Sequence, residues 1–179
     1  MLEDVLGQEL FPIDQAAINL VRGREVLIDH YGYWPAFIDV EVIRVSLERA
    51  PTGYTATSNL RAVFYTFDIH KAPDDPLRRQ AHTEMLFGEV MELKLSGWSP
   101  QNPIQGLSIT RERSHSLSCD LFRVFWGGIG GGIGHEANFL CSSISVVDVM
   151  DLNPFQKSFP YLQPEIIPVG EQFETSNVP

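Results

Sequence analysis

With only two cysteines, Cys119 and Cys141, the chain lacks the material for a disulfide framework. In a reducing compartment both are expected to be free thiols. It has no uninterrupted apolar run of the roughly 20 residues that a membrane-spanning helix needs. The opening residues, MLEDVLGQELFPIDQ, carry acids where a secretory signal requires a basic region and an apolar stretch. Together these absences lead to the expectation of a cytoplasmic protein. Bases are also scarce: 13 Lys plus Arg stand against 23 Asp plus Glu, for a net charge of −10. A field of that sign repels phosphate backbones and anionic headgroups, which argues against nucleic acid and membrane as partners. It favours a partner protein with a basic surface. The excess lies at the two ends, with nine acids to four bases in residues 1–50 and seven to two in residues 120–179, while residues 51–119 carry seven of each.

Helical patterning is nearly absent as well. DQAAINLVR at 14–22 is the one candidate, with Asp14 as cap, Ala17, Ile18 and Val21 on one face, and Gly23 as a stop. The remainder reads as strands: VEVIRVSLE, in which Val40, Val42 or Ile43, Val45 and Leu47 alternate imperfectly with polar residues, then LRAVFYTFDI, TEMLF, VMELKLSG, IQGLSIT, LFRVFW and NFLCSSISVVDV. Turn-forming stretches such as KAPDDPLRRQ and SPQNP separate them. Repeated strands with short connections predict a mainly β, at most α+β, fold: one antiparallel sheet or sandwich-like domain with a short N-terminal helix. The whole of 1–179 is expected to form a single domain, with a β core over about 31–151 and an extended, proline-rich arm over 152–179. That arm carries Phe155, Phe159, Tyr161, Leu162, Ile166, Ile167 and Val169, so its apolar side chains are expected to be buried on the domain or against a neighbour.

The glycine stretch FWGGIGGGIGHEANF at 125–139 contains Gly132, Gly134 and Ala137 in the G-x-G-x-x-A spacing of a dinucleotide loop. A phosphate cradle requires a helix after the glycines, because the unpaired N–H groups at its start bind the anion. NFLCSSISVVDV is strand-like, so a hairpin connection is expected instead. His115 and Cys119, followed by His135 and Cys141, supply four soft ligands, but the second pair is widely spaced and a domain of this size needs no metal staple. GWSPQ lacks the final glycine of a nucleophile elbow. Asp68, Asp74 and Asp75 could pair with a histidine such as His70 or His82, yet no nucleophile, base and orienting group assemble together. No enzyme activity, cofactor or metal is therefore expected.

YGYWPAFIDVEV at 31–42 concentrates aromatics at a rigid Trp34-Pro35 pair, followed by Phe37, with Asp39 and Glu41 on one strand face. It reads either as a plug closing one end of the sheet or as a patch of aromatics and carboxylates that recognises a basic partner. The segment Tyr33 to Val42 resembles the YWPxFHDxEV-type motif of the immunity protein 50 family of bacterial polymorphic toxin systems. LKLSGWSPQNPIQGLSI at 93–109 and NFLCSSISVVDV at 138–149 are similar to that family's middle and late strands, so the likeness covers residues 31–150. One position departs from it, Ile38 standing where the motif has histidine. The resemblance implies a cytoplasmic protein that binds and neutralises a cognate toxin without catalysis. Trp34, Phe37, Asp39, Glu41, Trp98 and Trp126 are the candidate partner-binding residues. The alternatives are a nucleotide-binding or zinc-binding β protein using His115, Cys119, His135 and Cys141, and a homodimer formed through the C-terminal arm.

Overall fold

A computed structural model describes residues 13–49, 57–98, 101–114, 119–127 and 135–152. The fold is mainly β. Among the described residues, nine strands follow two short helices, α1 (Gln15–Ile18) and α2 (Arg24–Tyr31): β1 (Val40–Arg49), β2 (Ser58–Phe67), β3 (Gln80–Gly88), β4 (Met91–Ser96), β5 (Pro103–Ile104), β6 (Leu107–Ser114), β7 (Cys119–Trp126), β8 (Glu136–Cys141) and β9 (Ser143–Asp151). They form a five-stranded sheet, in the order β5-β1-β2-β3-β9, and a four-stranded sheet, β4-β8-β7-β6. Every strand pairing is antiparallel.

Period-two patterning sets which side chains face inward. Along β3, Ala81, Thr83, Met85 and Phe87 are all fully buried and alternate with half-buried neighbours. On β1 the alternation fails at Ile43 for a definite reason. Val42 pairs with Phe64 and Arg44 with Val63, so Ile43 is the extra residue of a β-bulge. The bulge restores Val45 and Leu47 to the core side, opposite the buried Ala62 and Leu60. Between the sheets lies an aromatic chain in which Phe64 meets Trp126 edge-on at 5.4 Å, Phe87 meets Phe139 at 5.1 Å, and Phe37 meets Phe64 at 5.5 Å. Each such pair adds roughly 0.5–1.5 kcal/mol beyond its area burial.

At one corner the sheets share their strands. β3 passes into β4 just after Gly88, β8 passes into β9 at Ser142, and the Ser142 N–H donates to the Gly88 carbonyl at 2.9 Å. NFLCSSISVVDV is therefore two strands in two sheets, and IQGLSIT likewise divides into β5 and β6, because corners of this kind are made by strands that bend from one sheet to the other.

The N-terminal segment spans the gap between β6 and β9, with Ile13 bridging to Ile109 and Arg22 to Ser145. The Asp14 carboxylate caps α1, accepting the Ala16 and Ala17 N–H groups at 3.0 and 3.1 Å, and buried Ala17, Ile18 and Val21 dock the segment. Gly23, expected as a stop, instead starts a second helix that the strand-dominated reading missed. Its φ of 70° and the Val146 carbonyl oxygen, 2.5 Å from where a Cβ would stand, leave no alternative to glycine. Leu27 and Tyr31 bury the inner face of α2, and the Arg79 guanidinium donates to the Asp29 and His30 carbonyls at its C-terminus. The C-terminal arm, His115 and Gly128 to Gly134 fall outside the described residues.

Candidate functional site

The seam between β6 and β9 is bridged by residues 13–22, whereas the opposite seam, between β1 and β4, holds a cleft of about 510 Å³. Its walls are Val45 and Leu47 from β1, Leu95 and Trp98 from β4 and its continuation, and His135 at the entry to β8. Leu47 is 55% exposed, Leu95 44% and Trp98 57%. β5 pairs with the outer edge of β1 at Val40 and Glu41, and the Val42 N–H donates to the Asn102 carbonyl at 2.9 Å. Beyond the bulge, no described residue pairs with that edge.

His135 forms the floor. Its ring lies edge-on to Trp98 at 4.8 Å, and its Nδ1 accepts the indole N–H of Trp126 at 3.0 Å. An accepting Nδ1 places the proton of the neutral ring on Nε2. Burial lowers the pKa of His135 below its ordinary 6.5, so the ring is neutral near pH 7. The cleft thus offers apolar surface and one uncharged imidazole, a combination suited to holding apolar side chains.

The candidate partner residues divide by burial. Phe37 is 1% exposed and Trp126 0% exposed. Their surface is used up in the core, so neither can be presented to a partner, and the expectation of anchors there is corrected. Trp34 is half-buried, at 5.9 Å from Phe37, and packs against the core. Phe37 has a φ of 56°, unusual for a bulky side chain, and the same turn gives Asp39 a φ of 56°. That turn sends Phe37 inward while leaving Asp39 exposed and Glu41 half-exposed. Among the described residues neither carboxylate is ion-paired. Arg44 and Arg61, by contrast, both sit against Glu84, Arg123 against Glu112 and Glu92, and Arg111 and Arg113 against Asp120. The edge of β1 therefore runs from two free acids at its start to an apolar cleft, with Trp98 as the exposed aromatic.

Residues considered for chemistry are placed in structural roles. The Asp68 carboxylate accepts the Tyr33 hydroxyl at 2.8 Å and the His70 backbone N–H at 3.0 Å, which fixes the turn after β2. Burial and the Asp68 bond push the Tyr33 phenol up to about 12. Tyr31, Thr66 and Thr83 join hydroxyls in a buried chain with spacings of 2.8 Å. Cys141 is buried and its thiol is pushed up to about 12, so little thiolate is present at neutral pH. Cys119 is exposed at the far end of β7, and the described residues contain no group of three His, Cys, Asp or Glu able to hold a metal. After the glycine stretch comes β8, antiparallel to β7, rather than a helix. No described helix is long and apolar enough to cross a membrane.

No protein-family model, curated protein or solved structure matches the chain. The likeness to immunity protein 50 therefore stands on the quoted residues alone. The cleft itself was missed by the sequence reading. Its sequence signal was an imperfect alternation in VEVIRVSLE together with LKLSGW, two strands whose inward residues lack partners across the seam.

Proposed function

We propose that this protein is an immunity-type inhibitor, which binds a cognate bacterial toxin in the cytoplasm and neutralises it by covering its surface, without catalysis. The observation that carries this reading is the exposed Trp98 indole at the mouth of an apolar cleft, on a chain of net charge −10. A large aromatic beside aliphatic surface is the usual energetic centre of a protein interface. Asp39 and Glu41, on the same strand edge, steer a basic partner and contribute at the rim. The resemblance over residues 31–150 supplies the partner's class.

The test is capture of the toxin encoded beside this gene by the purified protein, over a series of salt concentrations. Capture at low salt that weakens as salt rises is expected, because rim charges are screened. Absence of a complex at low salt would overturn the assignment. A complex indifferent to salt would remove the acidic steering.

A further inference from the structure

The seam between β6 and β9 shows what closes a gap between these two sheets. Residues 13–22 enter it with Ile13 bridged to Ile109 and leave it with Arg22 bridged to Ser145. Between those points the chain is helical. α1 runs on into turns in which the Leu20 N–H donates to the Ala17 carbonyl and the Val21 N–H to the Ile18 carbonyl, both at 3.0 Å. Ala17, Ile18 and Val21, spaced i, i+1 and i+4, are buried and join the core. The fit is one of widths: packed sheets stand about 10 Å apart, and a helix with its side chains is about 10–12 Å across. A helix also turns a continuous apolar stripe toward the gap, whereas an extended strand would direct every second side chain away from it.

The seam between β1 and β4 separates the same two sheets. Val45, Leu47, Leu95 and Trp98 line about 510 Å³ of space over the neutral His135 ring. Among the described residues no charged side chain lines it. A cation carried into it would lose its water without gaining a counter-charge, so the cleft selects uncharged anchors. Positive charge is attracted instead to the surroundings, a chain of net charge −10 with Asp39 exposed and Glu41 half-exposed at the start of β1. We propose that the occupant of this cleft is a short amphipathic helix of the partner, docked as residues 13–22 dock on the opposite seam. Its aliphatic face enters between β1 and β4, and its basic face remains outside. The proposal rests on the cleft being the toxin-binding surface, and it specifies which kind of element the toxin presents there.

The test uses the full chain and two synthetic peptides of equal leucine and lysine content. One has its leucines at the helical spacing i, i+3, i+4 and i+7, and the other alternates leucine with lysine. Binding is measured calorimetrically at one fixed salt concentration to the wild type, to Trp98→Ala and to Leu47→Thr, neither of which alters the net charge. The helical peptide is expected to bind the wild type at least about tenfold more tightly than the alternating one, and to lose at least about fivefold in affinity in both variants. A smaller preference, a preference for the alternating peptide, or no binding of the helical peptide below about 1 mM overturns the proposal. A smaller loss in either variant also overturns it, by reducing the attraction to bulk charge. Toxin capture is read separately. Capture of the toxin with failure of the helical peptide leaves the proposed function standing, while peptide binding without toxin capture leaves the helix-binding cleft standing and removes the toxin.

Discussion

Replacing His135 with leucine probes the floor of the cleft. The substitution keeps an apolar side chain of similar size but removes the acceptor for the Trp126 indole N–H, which is fully buried and bonded to His135 Nδ1 at 3.0 Å. A buried donor left without a partner costs about 1–3 kcal/mol. Losing the edge-on contact with Trp98 at 4.8 Å costs roughly 0.5–1.5 kcal/mol more. A destabilisation of about 3 kcal/mol follows, equivalent in a chain of this length to a fall in Tm of roughly 6–12 °C. Thermal unfolding followed by circular dichroism measures it. The stricter form is a double-mutant cycle with Trp126→Phe. Removing both polar groups leaves neither stranded, so the double variant should be more stable than the sum of the single losses by about 1–2 kcal/mol. A Tm shift under about 2 °C for His135→Leu, or strict additivity in the cycle, would refute this account of the cleft floor.

Three further outcomes follow from other parts of the molecule. Gly23→Ala forces a Cβ against the Val146 carbonyl oxygen at a positive φ, and should destabilise by about 2–4 kcal/mol by equilibrium denaturation. A loss below about 0.5 kcal/mol would mean that the N-terminal segment does not dock on β9 as described. Asp39→Gly relieves a left-handed backbone at an exposed site, so stability should rise by up to about 1 kcal/mol while toxin capture weakens; lower stability would contradict the assigned strain. His30, His82 and His135 all have pKa values lowered by burial. Each holds its proton less tightly folded than unfolded, so the unfolded chain binds more protons as pH falls below the ordinary value of 6.5, and stability declines there until the folded-state values are passed. Denaturation midpoints that are flat or rising between pH 7 and pH 5 would be inconsistent with these three buried rings.

How far the sequence revealed this structure depended on where side-chain pattern and backbone geometry agreed. The strand RAVFYTF was legible from its β-branched and aromatic residues without a breaker, although Ala62, Val63 and Phe64 are buried in succession rather than alternately. The α2 helix was not: REVLIDHY places only Leu27 and Tyr31 on its inner face, too little apolar signal to stand against neighbouring strands. The division of NFLCSSISVVDV at Ser142 was also hidden, since a strand that bends between sheets stays apolar on both sides of the bend. The site was half legible. Trp98 and Asp39 are exposed and Glu41 half-exposed, whereas the buried Phe37 and Trp126 look identical to exposed aromatics in sequence. Only the turn at Pro35 to Asp39 and the closing of the sheets decide that they point inward. The cleft depends on which strand edges remain unpaired, which is a property of tertiary arrangement rather than of any one segment.

The central claim, that a basic toxin docks on the β1 and β4 seam through Trp98, is tested most directly by the dissociation constant of the toxin complex for the wild type and for Trp98→Ala, measured calorimetrically at one fixed salt concentration. Truncating this exposed side chain gives up only its edge-on contact with His135, worth roughly 0.5–1.5 kcal/mol, so the variant should keep its fold. Its Kd is expected to rise by roughly 30-fold or more, the loss of about 2 kcal/mol that marks a central interface aromatic. An unchanged Kd, with the fold intact, would place the toxin elsewhere and contradict the claim.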